Sequence, residues 1–390
     1  MFRQVACYNP PRLDEPVLIV AAEASADLHA ARALEELRKI RPGVKAFGVG
    51  GPRLRAAGIE ALYPAEELNV MGLAEVLPKI PRILRVLRGL REAAEVRRPK
   101  VALLVDSPDF NLRLAKHLKR QGVRVVYYVS PMIWAWRRGR ARKIARLVDR
   151  MLCILPFEER FYAGTGVSAR FVGHPFAERP LPGNAAAYRE ALGLPGARTT
   201  VAILPGSRRS EIERLLPPML EAAELVRGRH PDVQFLIPVA QTLSEADLRP
   251  ALALHPALDV RLVAGRADET VGASDAALVK SGTSVLEAAL MARPMVVVYK
   301  VAWLTYLVGR LLVHGVKHMA LVNLLAGRTV VPELLQREAS PERMAAEIDR
   351  LLSDPVARGA QLDALAEVRR SLGEPGAARR VAEELAGALP

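Results

Sequence analysis

The residues of this chain best suited to chemistry are Ser281-Gly282-Thr283-Ser284-Val285-Leu286-Glu287, which follow an apolar run over 275–280. A buried strand turning through serine, glycine and threonine into a helix offers unpaired backbone N–H groups and the positive end of a helix dipole. That combination suits a phosphate. Gly282 admits close approach, Ser281 and Thr283 add hydroxyls, and Glu287, one turn on, can accept hydrogen bonds from a ribose. An ordinary capped helix has the same composition, so the run fits a nucleoside-diphosphate cradle or a plain cap.

A second turn, Leu204-Pro205-Gly206-Ser207-Arg208-Arg209-Ser210-Glu211, also ends a strand and opens a helix. Gly206 and Ser207 give the backbone room, and Arg208 supplies a permanent charge with forked donors for a leaving diphosphate. A solvated basic helix start is the alternative, and the sheet-end position favours phosphate. Asp106 ends the buried run Val101–Val105, where a carboxylate can act as general base on an acceptor hydroxyl if its pKa is raised. Asp109 falls in the first helical turn after Pro108, which suits a cap. Glu23, Ser25 and Asp27 follow the first strand and fit acceptor binding or capping. His174, in Gly173-His174-Pro175, reads as a structural donor or acceptor.

Elements that position these residues alternate along the chain. Strands are predicted at Val17–Ala21, 45–49, Val101–Val105, 124–129, 150–154 and 170–172, with amphipathic segments at 28–40, 81–97 and 112–121 between them. A Pro/Gly-rich passage over 179–183 marks a boundary, after which strands are predicted at Thr200–Leu204, 233–238, 259–263, Ala276–Lys280 and Met295–Tyr299. Helices 210–229, 283–292, 341–352 and 356–372 accompany that second series. The pattern predicts an α/β protein of two facing doubly wound, Rossmann-like domains over 1–177 and 178–372, with a shared cleft at the carboxyl ends of their sheets. The segment 373–390 is predicted as a helix returning to the first domain.

With 390 residues, a formal charge of +14 and only Cys7 and Cys153, the chain reads as two cores without a disulfide framework or zinc cluster, in a reducing cytoplasm. Residues 1–16 lack the apolar core of a signal peptide. No apolar run reaches the ~18 residues of a membrane span, and the richest, 301–313, contains Arg310. The excess positive charge favours anionic partners. Two stretches mix Arg with apolar groups: 79–100, and 134–143 with Trp134 and Trp136. They suit an anionic membrane surface or an acyl chain, and equally a packed face with solvated charges. Nucleic acid is not the expected partner, because no RNP, zinc-finger or helix-turn-helix signature is present.

Taken in order, the runs Gly50-Gly51-Pro52-Arg53, Glu67-Leu68-Asn69-Val70-Met71-Gly72, Asp106-Ser107-Pro108-Asp109-Phe110-Asn111, Pro156-Phe157-Glu158, Gly173-His174-Pro175, Leu204 to Arg208, Ser281 to Glu287, Asn323-Leu324-Leu325 and Pro332 to Gln336 resemble the lipid-A-disaccharide synthase family along nearly the whole chain. Tyr128 to Pro131 with Trp134-Ala135-Trp136-Arg137 adds to the match. The resemblance implies a GT-B glycosyltransferase, inverting, using no metal and no cofactor. It implies a UDP-diacylglucosamine donor, a diacylglucosamine 1-phosphate acceptor, a β(1→6) bond and release of UDP. Carried over residue by residue, Asp106 is the base and Arg208 steadies the diphosphate. Gly206, Ser207, Ser281, Gly282, Thr283, Glu287, Asn323 and Gln336 hold the nucleotide sugar, and Glu23, Ser25, Asp27, Met71 and Trp134 hold the acceptor. It also implies a peripheral enzyme on the inner face of the cytoplasmic membrane and leaves a homodimer open.

The first loop departs from the family's Gly-Glu-x-Ser-Gly-Asp: Ala22 and Ala26 replace both glycines. Added Cβ atoms there are expected to hinder approach to the backbone, so the usual acceptor is expected to be handled poorly. Three alternatives follow: a glycosyltransferase for a different lipid, a UDP-sugar 2-epimerase of the same architecture, and a non-catalytic nucleotide-sugar binding protein. Asp106 together with Arg208 argues against the last.

Overall fold

Strands that are buried along every residue need helices on both faces, and β-branched runs flanked by amphipathic helices supply that arrangement. The computed structural model describes residues 16–68, 73–136, 138–194, 198–301 and 318–389. Its contacts divide the chain into two units, Met1–Phe176 with Glu374–Pro390, and Ala177–Gly373.

The first unit holds a parallel sheet of seven strands: β1 (Val17–Ala21), β2 (Ala46–Gly50), β3 (Glu60–Pro64), β4 (Val101–Val105), β5 (Arg124–Tyr128), β6 (Arg150–Cys153) and β7 (Ala169–Phe171). Their order across the sheet is β3-β2-β1-β4-β5-β6-β7. Direction along the sheet therefore reverses between β1 and β4, and Ala21 pairs in register with Val105. The chain leaving β1 at Ala22 and the chain leaving β4 at Asp106 emerge side by side, at the switch point where α/β sheets bind ligands. One face packs Leu34 and Leu37 of helix Ala24–Ile40, and the other packs Val86, Leu90 and Leu114. Helix Ala377–Ala386 belongs to this unit. Its Val381, Ala382 and Leu385 are fully buried in the first of those cores, and its Glu384 accepts from Arg150 Nε at 3.0 Å and Arg170 Nη1 at 2.7 Å.

The second unit repeats the plan with six parallel strands: β8 (Thr200–Leu204), β9 (Gln234–Val239), β10 (Val260–Ala264), β11 (Ala276–Lys280), β12 (Met295–Tyr299) and β13 (Glu333–Leu335). The order is β10-β9-β8-β11-β12-β13, and Leu204 pairs in register with Val279. The switch point thus lies between β8 and β11, and it sets the 206–208 turn beside the 281–283 turn. Helices Arg209–Arg229 and Pro341–Ser353 cover one face through Leu216, Met219 and Leu220 against Met344, Ile348 and Leu351.

Two strands escape the sequence pattern. β3 is half-exposed along its length, and β13 is three residues long. Both are edge strands, so neither carries the unbroken apolar run of a central one. Met71 lies outside the described residues, as do 302–317. No described helix is long and apolar enough to cross a membrane.

Candidate active site

In the first unit, the chain leaves β4 through two left-handed residues that are not glycine, Asp106 at φ 51° and Ser107 at φ 43°. Each costs on the order of 1–3 kcal/mol, which surrounding contacts must offset. The Asp106 carbonyl accepts from the Tyr127 hydroxyl at 2.5 Å and from Asn111 Nδ2 at 2.8 Å. Its N–H donates to Tyr128 O at 2.9 Å. Asn111, wholly buried, also donates to Val105 O at 3.1 Å. Val129, just past β5, is left-handed as well, at φ 67°. Burial raises the Asp106 carboxyl above the ordinary aspartate value, tempered by the Ser107 N–H. Asp109, by contrast, projects into solvent with Arg140 Nη1 at 3.9 Å. A carboxylate with raised basicity on a fixed, strained turn is what proton abstraction needs.

After β1, a pocket of about 240 Å³ is lined by Ala22, Glu23, Asp27, Arg53 and Glu66 among others. Asp27, expected at the acceptor or as a cap, lines this pocket and has the capping contacts. It is buried, and its carboxylate accepts from the N–H groups of Gly51 (2.7 Å), Arg53 (2.9 Å) and Leu54 (3.2 Å). It therefore caps helix Pro52–Ala56 from another element, and shapes the pocket floor through the Gly51 turn. Glu23 sits at the N-cap of helix Ala24–Ile40 and lines the pocket, while Ser25 is exposed and outside its lining. Ala26 packs into the core, and neither Ala22 nor Ala26 has a positive φ. A methyl at these two positions is therefore compatible with the loop's backbone.

Trp134, expected at the acceptor, lies mostly in the interior. It is 8% exposed, stands edge-on to Phe157 at 4.9 Å, and donates from Nε1 to Glu158 Oε1 at 3.3 Å. Its indole braces the interior, because a buried Trp N–H needs an acceptor. Burial pushes the Glu158 carboxyl up to about 8, against the Leu155 N–H and the Trp134 indole. His174 Nδ1 accepts from Phe176 N at 3.1 Å, the structural role expected.

The second unit brings its two turns onto one carboxylate. Glu211, in the first turn of helix Arg209–Arg229, accepts from Ser207 N at 3.0 Å through Oε2 and pairs with Lys280 Nζ at 3.0 Å through Oε1. Arg208 Nη1 stands 3.8 Å from the same Oε1, and its side chain is 55% exposed. Burial raises the Glu211 carboxyl, but Lys280, Ser207 and Arg208 outweigh it, and the pKa lies below the ordinary glutamate value. Gly206 is left-handed at φ 131°, and a Cβ there would collide with the Glu211 side chain. A Cβ on Gly282 would lie 3.1 Å from Lys280 Nζ. Ser281 is buried, its N–H donating to Val298 O at 2.8 Å, and Thr283 opens helix Thr283–Leu290. Glu287 stands inside that helix, 3.2 Å from Arg179 Nη2, and Arg179 Nη1 reaches Asp268 at 3.1 Å. Burial lifts the Glu287 pKa, with Arg179 opposing it.

Asn323 and Gln336, expected at the nucleotide, are hydrogen-bonded within their own unit. Asn323 is wholly buried. Its Oδ1 accepts from Val330 N and Val331 N, and its Nδ2 donates to Val331 O and Glu333. Gln336 exchanges two hydrogen bonds with the backbone of Val301, at 3.0 and 3.2 Å. An amide whose donors and acceptors are spent on backbone fixes loops. Sequence reasoning missed Lys280, Glu211 and Arg179. Only Lys280 left a signal, as a lone charge at the end of an apolar strand.

Residues 17–382 match the family model described as lipid-A-disaccharide synthetase. A lipid-A-disaccharide synthase from Anaeromyxobacter dehalogenans (strain 2CP-C) is 72% identical over 379 residues, covering 97% of this chain and 99% of that protein. One from Myxococcus xanthus (strain DK1622) is 56% identical, covering 98% of each. Among solved structures, a UDP-GlcNAc 2-epimerase from Neisseria meningitidis bound to UDP-GlcNAc aligns with a TM-score of 0.62 at 14% identity, over 95% of this chain and 99% of that one. Likeness at that identity concerns the fold alone.

Proposed function

The chain belongs to the lipid-A-disaccharide synthetase family and is a glycosyltransferase of GT-B architecture, and from that premise we propose that it joins the sugar of a UDP-diacylglucosamine to a diacylglucosamine 1-phosphate through a β(1→6) bond, with inversion and release of UDP. Asp106 takes the proton of the acceptor hydroxyl as its oxygen attacks the anomeric carbon. The bond from that carbon to the diphosphate breaks, and the electron pair leaves with UDP. Arg208, the backbone of Gly206, the Ser207 hydroxyl and the N–H groups of Gly282 and Thr283 steady the charge that develops. Glu287 receives the ribose hydroxyls. Glu23 contacts the acceptor from the pocket after β1.

The observation that carries this reading is the Asp106 turn, where strain and burial are spent on one carboxylate at the end of a central strand. Purified enzyme given both substrates should yield the disaccharide 1-phosphate by mass spectrometry, in step with UDP release. UDP release without disaccharide would point to a different lipid acceptor, which a membrane lipid extract added to the same assay would reveal. A 2-epimerised UDP-sugar as the sole product would overturn the reading.

Peripheral binding at the inner face of the cytoplasmic membrane belongs to the same proposal. It is supported by Ile80 and Leu84 on helix Leu73–Arg97, which are exposed beside its arginines, and by Met132, which is 63% exposed. An apolar tip amid basic residues binds anionic lipid through both terms. Co-sedimentation with anionic vesicles should fall with added salt, and equal binding to neutral vesicles would count against it.

A further inference from the structure

Glu211 occupies the point at which the Ser207 N–H, the Lys280 ammonium and the Arg208 guanidinium of the second unit converge. One carboxylate oxygen takes the Ser207 N–H at 3.0 Å, and the other faces Lys280 Nζ at 3.0 Å and Arg208 Nη1 at 3.8 Å. Two oxygens bridging a backbone N–H, an ammonium and a guanidinium form the contact set that a phosphate would take. Lys280 is placed for that exchange. It ends β11, its Nζ stands where a Cβ on Gly282 would meet it at 3.1 Å, and its carbonyl is fixed by Ser284 Oγ at 3.2 Å. Its ammonium therefore stands between the turn carrying Gly206 and the turn carrying Thr283.

We propose that Lys280 is a second cation for the diphosphate of the nucleotide sugar, held in reserve by Glu211, which fills the anion position until the nucleotide displaces it. The inference rests on the nucleotide placement argued under Proposed function. It assigns Lys280 a binding role and makes Glu211 an internal competitor whose negative charge is repelled as the phosphate arrives. Bound diphosphate takes over the Lys280 ammonium, and Glu211 keeps at most the Ser207 N–H.

The two roles open to Glu211 differ in the sign of one measurement. Glu211→Gln keeps an oxygen for the Ser207 N–H but removes the competing charge. Calorimetry with UDP should therefore show binding tightened by about threefold to tenfold. Unchanged or weaker binding by a variant of normal thermal stability would mean that Glu211 only braces the turn. Lys280→Met should weaken UDP binding by about tenfold to a hundredfold, the worth of a charge-assisted contact, and should weaken UMP binding less. Lys280→Arg, which keeps the cation, should stay within about threefold of wild type. Equal losses in the Met and Arg variants would make Lys280 a packing residue and sink the proposal. Wild-type enzyme that binds no UDP would instead remove the nucleotide reading itself, whereas normal UDP binding by Lys280→Met would remove Lys280 alone.

Discussion

The turn after β4 and the turns after β8 and β11 all leave their sheets at a switch point, and they are built from opposite materials. Asp106 and Ser107 take left-handed backbone without being glycine, and a tyrosine and a buried asparagine grip the Asp106 carbonyl. In the second unit positive φ falls to the glycines Gly206 and Gly282, and the polar groups around Gly206 are charged. A base must sit where water is scarce and its own position is not negotiable, so strain and desolvation are tolerated there. An anion site needs open backbone and positive charge, which glycine, arginine and lysine supply without strain.

The comparison breaks most sharply at Asp106. Asp106→Asn keeps the shape and removes the base, so turnover should fall by about 10²–10⁴-fold while UDP affinity by calorimetry stays unchanged. Near-normal turnover would move the base elsewhere, with Glu23 next to be tried. Because the Asp106 pKa lies above the ordinary 3.8, the acid limb of kcat/KM should fall off at a higher pH than for a solvated aspartate. Arg208→Ala addresses the other side: UDP affinity or turnover should drop by about tenfold to a hundredfold or more. If UDP titrations and kinetics of that variant match wild type, Arg208 is a surface residue.

Tyr127→Phe removes one neutral hydrogen bond from the Asp106 carbonyl. It should lower kcat by up to about tenfold and leave UDP binding alone. A loss of UDP affinity instead would show that the two turns are not separable in function. The smallest effect expected on turnover lies off the site, at Glu158, where stability responds instead. Its folded pKa of about 8 exceeds the ordinary 4.5, so the folded protein holds a proton the unfolded chain has released. The stability this gives is fully present below 4.5 and is lost as pH rises toward about 8. Thermal midpoints should decline across that window, and Glu158→Gln should flatten the decline. A Glu158→Gln variant whose midpoint follows pH as wild type does would show that Glu158 is ionised in the fold.

Much of this was legible in the residues. Central strands announce themselves as short apolar runs, and every central strand begins or ends within about two residues of its expected place. Asp106 and Ser281 stood out because each directly follows such a run, and Gly206 and Arg208 because they lie in the turn after one. Contacts distant in sequence were not. Nothing in the spacing of Tyr127 and Asn111 says that both reach the Asp106 carbonyl, and nothing in Glu211 says that Lys280 will be its partner. Asn323, Gln336, Asp27 and Trp134 show the converse: a polar type at a promising place does not reveal whether backbone or a buried carboxyl has already claimed it. The edge strands β3 and β13 were invisible for want of apolar residues to bury.

Helix Ala377–Ala386 seals the core of the first unit with Val381, Ala382 and Leu385, although the whole of the second unit precedes it in the chain. During synthesis, the unit that is begun first is therefore completed last. Until the final residues arrive, helix Ala24–Ile40 keeps an uncovered apolar flank, the kind of surface on which nascent chains aggregate and chaperones act. A premature stop just after Gly373 would spare every proposed catalytic and nucleotide-binding residue, yet it would deprive the first unit of its last wall.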